Sequence, residues 1–236
     1  MAAKKIQTTR KKIETEKGSI SVCIRRPSSF NVCLIIANGA GAPMDSPFIR
    51  HFCDSLAEDG VMTVSFNFPY QEKKRKIPDR QAVLEQTYLS VIDLVARESK
   101  LALSHIVIGG KSMGGRIATH IAPRANVGGL VLLGYPLHAV GKPDVVRDEH
   151  LYSIHVPCLF VSGDRDSLCT LALMKKVVSK MKRAAIFVVE DGDHSFKIRK
   201  NPARTQEHVF ADVREQILLF LKKFKFIWPK EMLHEF

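Results

Sequence analysis

The chain has 236 residues, of which 45% are hydrophobic, and its 36 Lys and Arg against 24 Asp and Glu give a formal net charge of +12. This length suits one large domain and is short for two of ordinary size. No run approaches the ~20 consecutive apolar residues of a membrane helix, and no apolar signal region follows the charged N-terminus. We therefore expect one domain over residues 1–236, no membrane association, and a cytoplasmic location with the nucleus as the alternative.

The five cysteines are scattered along the chain, at positions 23, 33, 53, 158 and 169. Their odd number and the lack of a C-x-x-C pair predict neither a disulfide framework nor a metal site. Three of them lie in apolar runs typical of a core, whereas Cys169 is expected to be exposed. The sequence therefore predicts a protein without metal or other cofactor.

The positive charge is concentrated at 73–76 and at Lys222, Lys223 and Lys225. A basic cluster can bind nucleic acid, but no nucleic-acid-binding motif accompanies either one. We interpret both clusters as solvated faces, which argues against nucleic acid as the partner and leaves a protein partner open.

Strand-like and helix-like segments alternate along the chain, which is typical of a mostly parallel sheet with helices on both faces. An opening hairpin is expected from strands 6–13 and 19–25 around Gly18, and the continuous apolar run 32–37 predicts a strand buried on both sides. The next helix is predicted at 46–58, with Ser46 as its cap and Pro47 in its first turn.

Further strands and helices follow in alternation. The predicted strands are 61–67, 127–134, 157–163 and 184–190, and the predicted helices are 79–97, 171–181 and 205–224. A polar loop is expected at 71–78. The short connection between the strands at 127–134 and 157–163 has no room for a large lid, so we expect an open site.

The pattern G-x-S-x-G at 110–114 comes shortly after the apolar run Ile106 to Ile108, and the helical segment 116–122 follows it. Glycines at 110 and 114 suit a sharp strand-to-helix turn, because one tolerates strained backbone angles and the other lets backbone approach closely. The sequence predicts a nucleophile elbow with Ser112 at its tip.

Serine needs a base and a group that orients the base. The strand 157–163 ends in Asp164 and Asp166, and the strand 184–190 runs into a loop that contains His194. Ser112, these carboxylates and His194 should meet at the carboxyl edge of the sheet. The chain order Ser, Asp, His is that of the α/β-hydrolase fold. We prefer Asp166, since Asp164 suits a turn, and His138 is a weaker alternative base.

The tetrahedral intermediate of acyl transfer also needs donors for its oxyanion. We expect the backbone amide of Met113 to be one and that of Ala40, in the glycine-rich loop 38–43, to be the other. Lys111 beside the serine, and Tyr135 and Leu137 after a strand, are candidates for substrate binding.

Five motifs carry a wider resemblance. They are NGAGAPMDSPF at 38–48, GGKSMGGR at 109–116, GYPLH at 134–138, the segment 147–169, and GDHSF at 192–196. Over nearly its whole length the chain resembles the α/β-hydrolase superfamily. The pattern is closest to the dienelactone-hydrolase-like group that contains the testis-expressed hydrolase-like proteins and subunit 3 of the chromatin NSL complex.

The resemblance implies a single-domain α/β-hydrolase fold without a large lid and a serine esterase that acts on a small-molecule ester or related carbonyl. One departure stands out, because the family usually begins its oxyanion loop with His-Gly whereas this chain has Asn38-Gly39. Some relatives serve in protein complexes, so the alternative is a catalytically weak or inactive hydrolase fold that acts as an interaction module.

Overall fold

In the computed structural model, which describes residues 5–200 and 203–222, eight strands form one sheet. The strands are β1 (Ile6–Ile13), β2 (Ile20–Pro27), β3 (Cys33–Ala37), β4 (Met62–Phe66), β5 (Ile106–Lys111), β6 (Gly129–Leu133), β7 (Cys158–Gly163) and β8 (Ala184–Val189). Their order is β1-β2-β4-β3-β5-β6-β7-β8. Strand β2 is antiparallel to both of its neighbours, and the pairs from β4 to β8 are all parallel.

Helices cover both faces of this sheet. They are α1 (Pro47–Glu58), α2 (Pro69–Glu72), α3 (Gln81–Ser99), α4 (Met113–Ala125), α5 (Leu171–Lys180) and α6 (Gln206–Lys222). Buried side chains of α3, α4 and α5 form one apolar layer with the sheet. Those of α1 and α6 form the second layer on the opposite face. The predicted mostly parallel α/β fold with helices on both faces is confirmed.

The opening hairpin turns where the sequence predicts it. Gly18 has a φ of +110°, which a residue with a side chain rarely adopts. Its amide donates to the carbonyl of Thr15, and the Thr15 hydroxyl donates to the carbonyl of Gly18. These bonds close the turn and set the antiparallel pairing of β1 with β2.

Helix α1 begins as predicted but without the predicted cap interaction. Ser46 occupies the N-cap position, yet its side chain makes no capping hydrogen bond. Pro47 takes the first helical position, where its fixed φ suits the helix and its missing N–H costs nothing. The start of the helix therefore depends on proline geometry.

One predicted element differs from expectation, and another extends beyond the described residues. The loop predicted at 71–78 begins inside the short helix α2, which the sequence pattern did not indicate. The predicted last helix ends at 224, and its final two residues lie outside the described ones.

Cys169 was expected to be exposed, and that prediction is wrong. The turn after β7 folds back, with the amide of Cys169 donating to the carbonyl of Asp166. This places the cysteine side chain against Ser162 with no exposed surface. Burial raises the pKa of the Cys169 thiol to about 11, so we expect this side chain to be inert.

The connection that could cover the sheet edge is short. The connection from β6 to β7 contains only a 3-10 helix, Glu149–Ser153, and no large lid occurs among the described residues.

Among the residues that the structure describes, no helix is long and apolar enough to cross a membrane.

Candidate active site

Ser112 lies at the sharp turn between β5 and α4. Its φ of 51° and ψ of −116° lie outside the regions that residues with side chains ordinarily occupy. The amide of Arg116 donates to the carbonyl of Ser112, so the helix begins immediately after the turn. Strain of this kind is maintained only by surrounding structure, and here it projects the hydroxyl from the sheet edge.

The glycines on either side of Ser112 are required by close backbone approach. A Cβ on Gly110 would lie 2.4 Å from the carbonyl oxygen of Ala37, and a Cβ on Gly114 would lie 2.5 Å from the same atom. Both glycines therefore let α4 pass close to the end of β3. The unusual backbone angles expected of one glycine occur at Gly110, whose φ is +155°, and Ser112 itself also has a positive φ of 51°.

Three side chains from separate strand ends form one hydrogen-bonded chain. The Oγ of Ser112 lies 2.9 Å from Nε2 of His194, and Nδ1 of His194 lies 2.8 Å from Oδ2 of Asp166. A carboxylate can only accept hydrogen bonds, so Nδ1 of the neutral imidazole carries the proton and Nε2 presents its lone pair to Ser112. This arrangement can deprotonate the serine hydroxyl during attack.

Asp166 is fixed more firmly than the other two groups. Its side chain has no exposed surface, and its second oxygen accepts a 2.8 Å hydrogen bond from the amide of Leu168. Asp164, the other carboxylate considered, is exposed at the end of β7, whereas the hydrogen bond to His194 is made by Asp166. A buried carboxylate with both oxygens engaged can hold the imidazole in one orientation.

The loop that carries His194 is organised by the preceding aspartate. Oδ1 of Asp193 accepts hydrogen bonds from the amides of Ser195 at 2.7 Å and Lys197 at 2.9 Å. Phe196 is fully buried, and its ring centroid lies 5.5 Å from that of Phe48 in α1. The histidine is thus anchored on both sides along the chain.

Lys111 also contacts this loop. The sequence had instead suggested that Lys111 binds substrate. Its Nζ donates a 2.6 Å hydrogen bond to the carbonyl oxygen of His194, and it lies 5.7 Å from the ring centroid of Phe48. Only 9% of Lys111 is exposed. Burial lowers its pKa to about 8, although Asp166 and Asp193 act in the opposite direction.

The glycine-rich loop after β3 lies directly beside Ser112. A Cβ on Gly39 would be 3.6 Å from the Cβ of Ser112. Asn38 is fully buried, and its side-chain amide donates 2.8 Å hydrogen bonds to the carbonyls of Gly39 and Ala42. Asn38 therefore stabilises the shape of the loop.

The two residues expected to supply oxyanion donors belong to the two segments next to Ser112. Met113 is the first residue of α4, and Ala40 directly follows Gly39 in the loop. The carbonyl of Ala40 accepts a 2.9 Å hydrogen bond from the hydroxyl of Tyr70. Sequence reasoning missed Tyr70, since nothing in its local pattern indicates a contact with a loop thirty residues earlier.

Tyr135, Leu137 and His138 follow β6, but they do not present surface to a ligand. Tyr135 and Leu137 are 1% and 0% exposed, because this segment folds into the core behind the site. His138 is also buried, and its Nε2 lies 3.0 Å from the hydroxyl of Thr170. Their burial gives no support to the predicted pocket role of the first two, or to His138 as the base.

A polar cluster that the sequence did not indicate lies between α4 and the 3-10 helix 149–153. Nε2 of His150 is 3.0 Å from the hydroxyl of Thr119 and 3.2 Å from that of Tyr135. The rings of His120 and His150 stack with centroids 3.8 Å apart. Burial is the largest cause that lowers the pKa of His150 to about 4, so both rings can stack without mutual repulsion near neutrality.

The described residues also contain no group of three or more His, Cys, Asp or Glu side chains arranged to hold a metal ion. The chemistry that this site can perform with its own groups is nucleophilic attack by Ser112 with His194 as the base.

Comparison with known proteins agrees with this geometry. Residues 30–222 match the model of a family described as an alpha/beta hydrolase domain, and the chain belongs to that family. The match contains every residue of the hydrogen-bonded chain and the loop after β3.

Solved structures of hydrolases share the fold. A serine hydrolase without a lid from Xanthomonas campestris is 15% identical with a TM-score of 0.73, covering 92% of this chain and 95% of that one. A dienelactone hydrolase from Anabaena variabilis is 16% identical with a TM-score of 0.75, covering 92% and 98%. An alpha-beta serine hydrolase homologue from Coxiella burnetii is 22% identical with a TM-score of 0.71, covering 92% and 97%.

Proposed function

We propose that this protein is a serine hydrolase that cleaves a small-molecule ester by acyl transfer. The observation that supports this most directly is the unbroken hydrogen-bonded chain from Ser112 through His194 to Asp166. The strained turn at Ser112 and the family membership point to the same reaction class.

In the proposed reaction, Oγ of Ser112 attacks the ester carbonyl carbon while Nε2 of His194 takes the hydroxyl proton. The C–O bond to the alcohol then breaks, and the alcohol leaves with that proton. Water attacks the acyl-enzyme with His194 again as the base, which releases the acid and restores Ser112. Asp166 stabilises the imidazolium that forms in each half-reaction.

The oxyanion would be stabilised by the backbone amides of Met113 and Ala40. Support for Ala40 comes from the position of the loop against Ser112 and from the two bonds by which Asn38 braces it. No metal or organic cofactor takes part in the proposed steps. We also propose, on the sequence motifs alone, that the chain falls in the group that contains the testis-expressed hydrolase-like proteins.

The test is covalent labelling with a fluorophosphonate, in which Oγ of the serine bonds to phosphorus and fluoride leaves. Wild type should be labelled at Ser112, and Ser112→Ala should not be labelled. Ser167→Ala is a matched control, because Ser167 is exposed near the same sheet edge and should leave labelling intact.

Turnover of short p-nitrophenyl esters provides the second measurement. His194→Ala and Ser112→Ala should each reduce kcat by roughly a thousandfold or more, with no additive loss in the double variant. Equal labelling of wild type and Ser112→Ala, or no labelling of either, would exclude the proposal and leave the interaction-module alternative.

A further inference from the structure

An open surface cavity of about 350 Å³ is lined in part by Ala40, the residue proposed to supply an oxyanion donor. One wall is the loop 40–43, and the other is the segment from Tyr70 to Lys76. Ala40, which lines the cavity, directly follows Gly39, the residue whose backbone lies against Ser112. A substrate with its carbonyl at Ser112 can therefore extend its non-reacting part into this space.

The two walls are joined by hydrogen bonds. The hydroxyl of Tyr70 donates to the carbonyl of Ala40 at 2.9 Å, and the side-chain amide of Gln71 donates to the carbonyl of Ala42 at 2.5 Å. The amide of Arg75 donates to the carbonyl of Tyr70 at 2.8 Å. These bonds fix the positions of both walls, which reduces the cost of ordering the cavity on binding.

The charge of the cavity has one sign. Lys74, Arg75 and Lys76 line it, and none of the described residues that line it is acidic. Arg75 forms an ion pair with Asp79, whereas Lys74 and Lys76 have no ion pair with any residue that the structure describes. Two unneutralised ammonium groups thus lie at the rim of a cavity whose opposite wall is apolar.

We propose that this cavity binds a phosphate group on the non-reacting part of the ester, so that the substrates are acyl esters of phosphorylated alcohols. A phosphate monoester carries a charge near −2 at neutral pH and can pair with both lysines, while a carboxylate can neutralise only one. The volume lies at the lower end for ligand sites and suits a phosphate on a short carbon chain. The inference rests on the proposed function for the position of the carbonyl.

The test compares 1-butyrylglycerol 3-phosphate with 1-butyrylglycerol, which share the acyl group and differ by the phosphate. Wild type should prefer the phosphorylated ester on the order of tenfold in kcat/KM at low ionic strength, and less at high salt. In Lys74→Gln/Lys76→Gln the ratio should fall to near one. Lys175→Gln/Lys176→Gln removes the same charge from the exposed surface of α5 and should keep the ratio.

A binding measurement separates this inference from the proposed function. Calorimetry with glycerol 3-phosphate should detect binding to wild type that is at least roughly fivefold weaker in Lys74→Gln/Lys76→Gln and unchanged in Lys175→Gln/Lys176→Gln. Such binding without ester turnover would mean that only the proposed function fails. Turnover with a ratio near one in wild type, or an equal loss in both double variants, would overturn the phosphate site.

Discussion

The ammonium group of Lys111 donates a 2.6 Å hydrogen bond to the backbone carbonyl of His194. The residue immediately before the proposed nucleophile therefore holds the loop that carries the proposed base. Since Asp166 fixes the imidazole through Nδ1, the side chain and the backbone of His194 are each held by a buried group.

Replacing Lys111 by Met should lower kcat by roughly 10- to 100-fold with little change in KM. The reason is that a buried charged hydrogen bond of about 1.5 to 3 kcal/mol is lost from the loop, while the substrate surface is unchanged. Steady-state kinetics on a neutral p-nitrophenyl ester measures the two constants separately. A rise in KM with kcat unchanged would instead favour the substrate-binding role predicted from the sequence.

The same variant should reveal the cost of burying the ammonium group. Because the pKa of Lys111 falls from 10.5 to about 8 on folding, the unfolded chain binds more protons between those pH values. The contribution of Lys111 to stability therefore rises with pH over that window, by about 3 kcal/mol at most. Subtracting the urea-unfolding free energy of Lys111→Met from that of wild type isolates this contribution. A difference that is flat from pH 7.5 to 10.5 would contradict it.

Gly134 makes room for the same carbonyl. A Cβ there would lie 2.6 Å from the carbonyl oxygen of His194, and its φ is +61°. Gly134→Ala should displace the histidine loop and reduce kcat at least a hundredfold, because small misplacements of a catalytic group are costly.

Gly141→Ala is the matched control for this prediction. Gly141 has a similar φ of +70°, but a Cβ there would meet nothing within 4 Å. It should lose about 1 to 2 kcal/mol of stability from backbone strain and keep its kcat. Equal losses of activity in Gly134→Ala and Gly141→Ala would show that strain, and not contact with His194, is responsible.

The centre of the sheet was predictable because several of its strands, β3 and β7 among them, are largely apolar runs. Residues 32–37 and 158–163 are buried on both faces, so their sequences carry no competing periodicity. The end of the second run, shortly before Asp166, could therefore be read from the sequence. The order of Ser112, Asp166 and His194 along the chain then indicated one shared sheet edge. Parallel strands convert chain order into spatial proximity.

Contacts made through loops could not be predicted in this way. Lys111 reaches a carbonyl 83 residues later in the chain, and Tyr135 and Cys169 are buried because their connecting segments fold back. Nothing in the residues around Lys111 distinguishes a buried hydrogen-bond donor from a substrate-binding cation. That difference is decided by the path of the loop around His194, which has no periodic sequence signal.

Asn38 provides a test of how the loop beside Ser112 is shaped. Asn38→Asp keeps the volume of the side chain but removes both donors to the carbonyls of Gly39 and Ala42. We expect kcat to fall by roughly tenfold or more as the loop relaxes and the proposed amide of Ala40 moves. If Asn38→Asp and wild type have the same kcat, the bracing by Asn38 does not contribute to the reaction.

His150 should make the protein less stable in mild acid. Its pKa is 6.5 ordinarily and about 4 in the folded protein, so the unfolded chain binds more protons between these values. Stability is therefore lost as the pH falls from 6.5 towards 4. His150→Gln should lose less stability over that window when thermal unfolding is followed. An equal loss in wild type and variant would show that His150 is not held neutral by burial.

Because the backbone at Ser112 is strained, glycine at this position should stabilise the protein relative to alanine, which is the reverse of its effect inside a helix. At φ 51° and ψ −116°, Ser112→Gly should relieve backbone strain that Ser112→Ala retains. Because this strain outweighs the extra chain entropy of glycine, we expect Ser112→Gly to be more stable to unfolding than Ser112→Ala by about 1 kcal/mol. Ser90 is the control, since it lies inside α3, where Ser90→Gly should be less stable than Ser90→Ala by a similar amount. Urea unfolding of the four variants measures both differences. The same sign at both positions would mean that the elbow stores no backbone strain, whereas opposite signs would locate the strain at the proposed nucleophile.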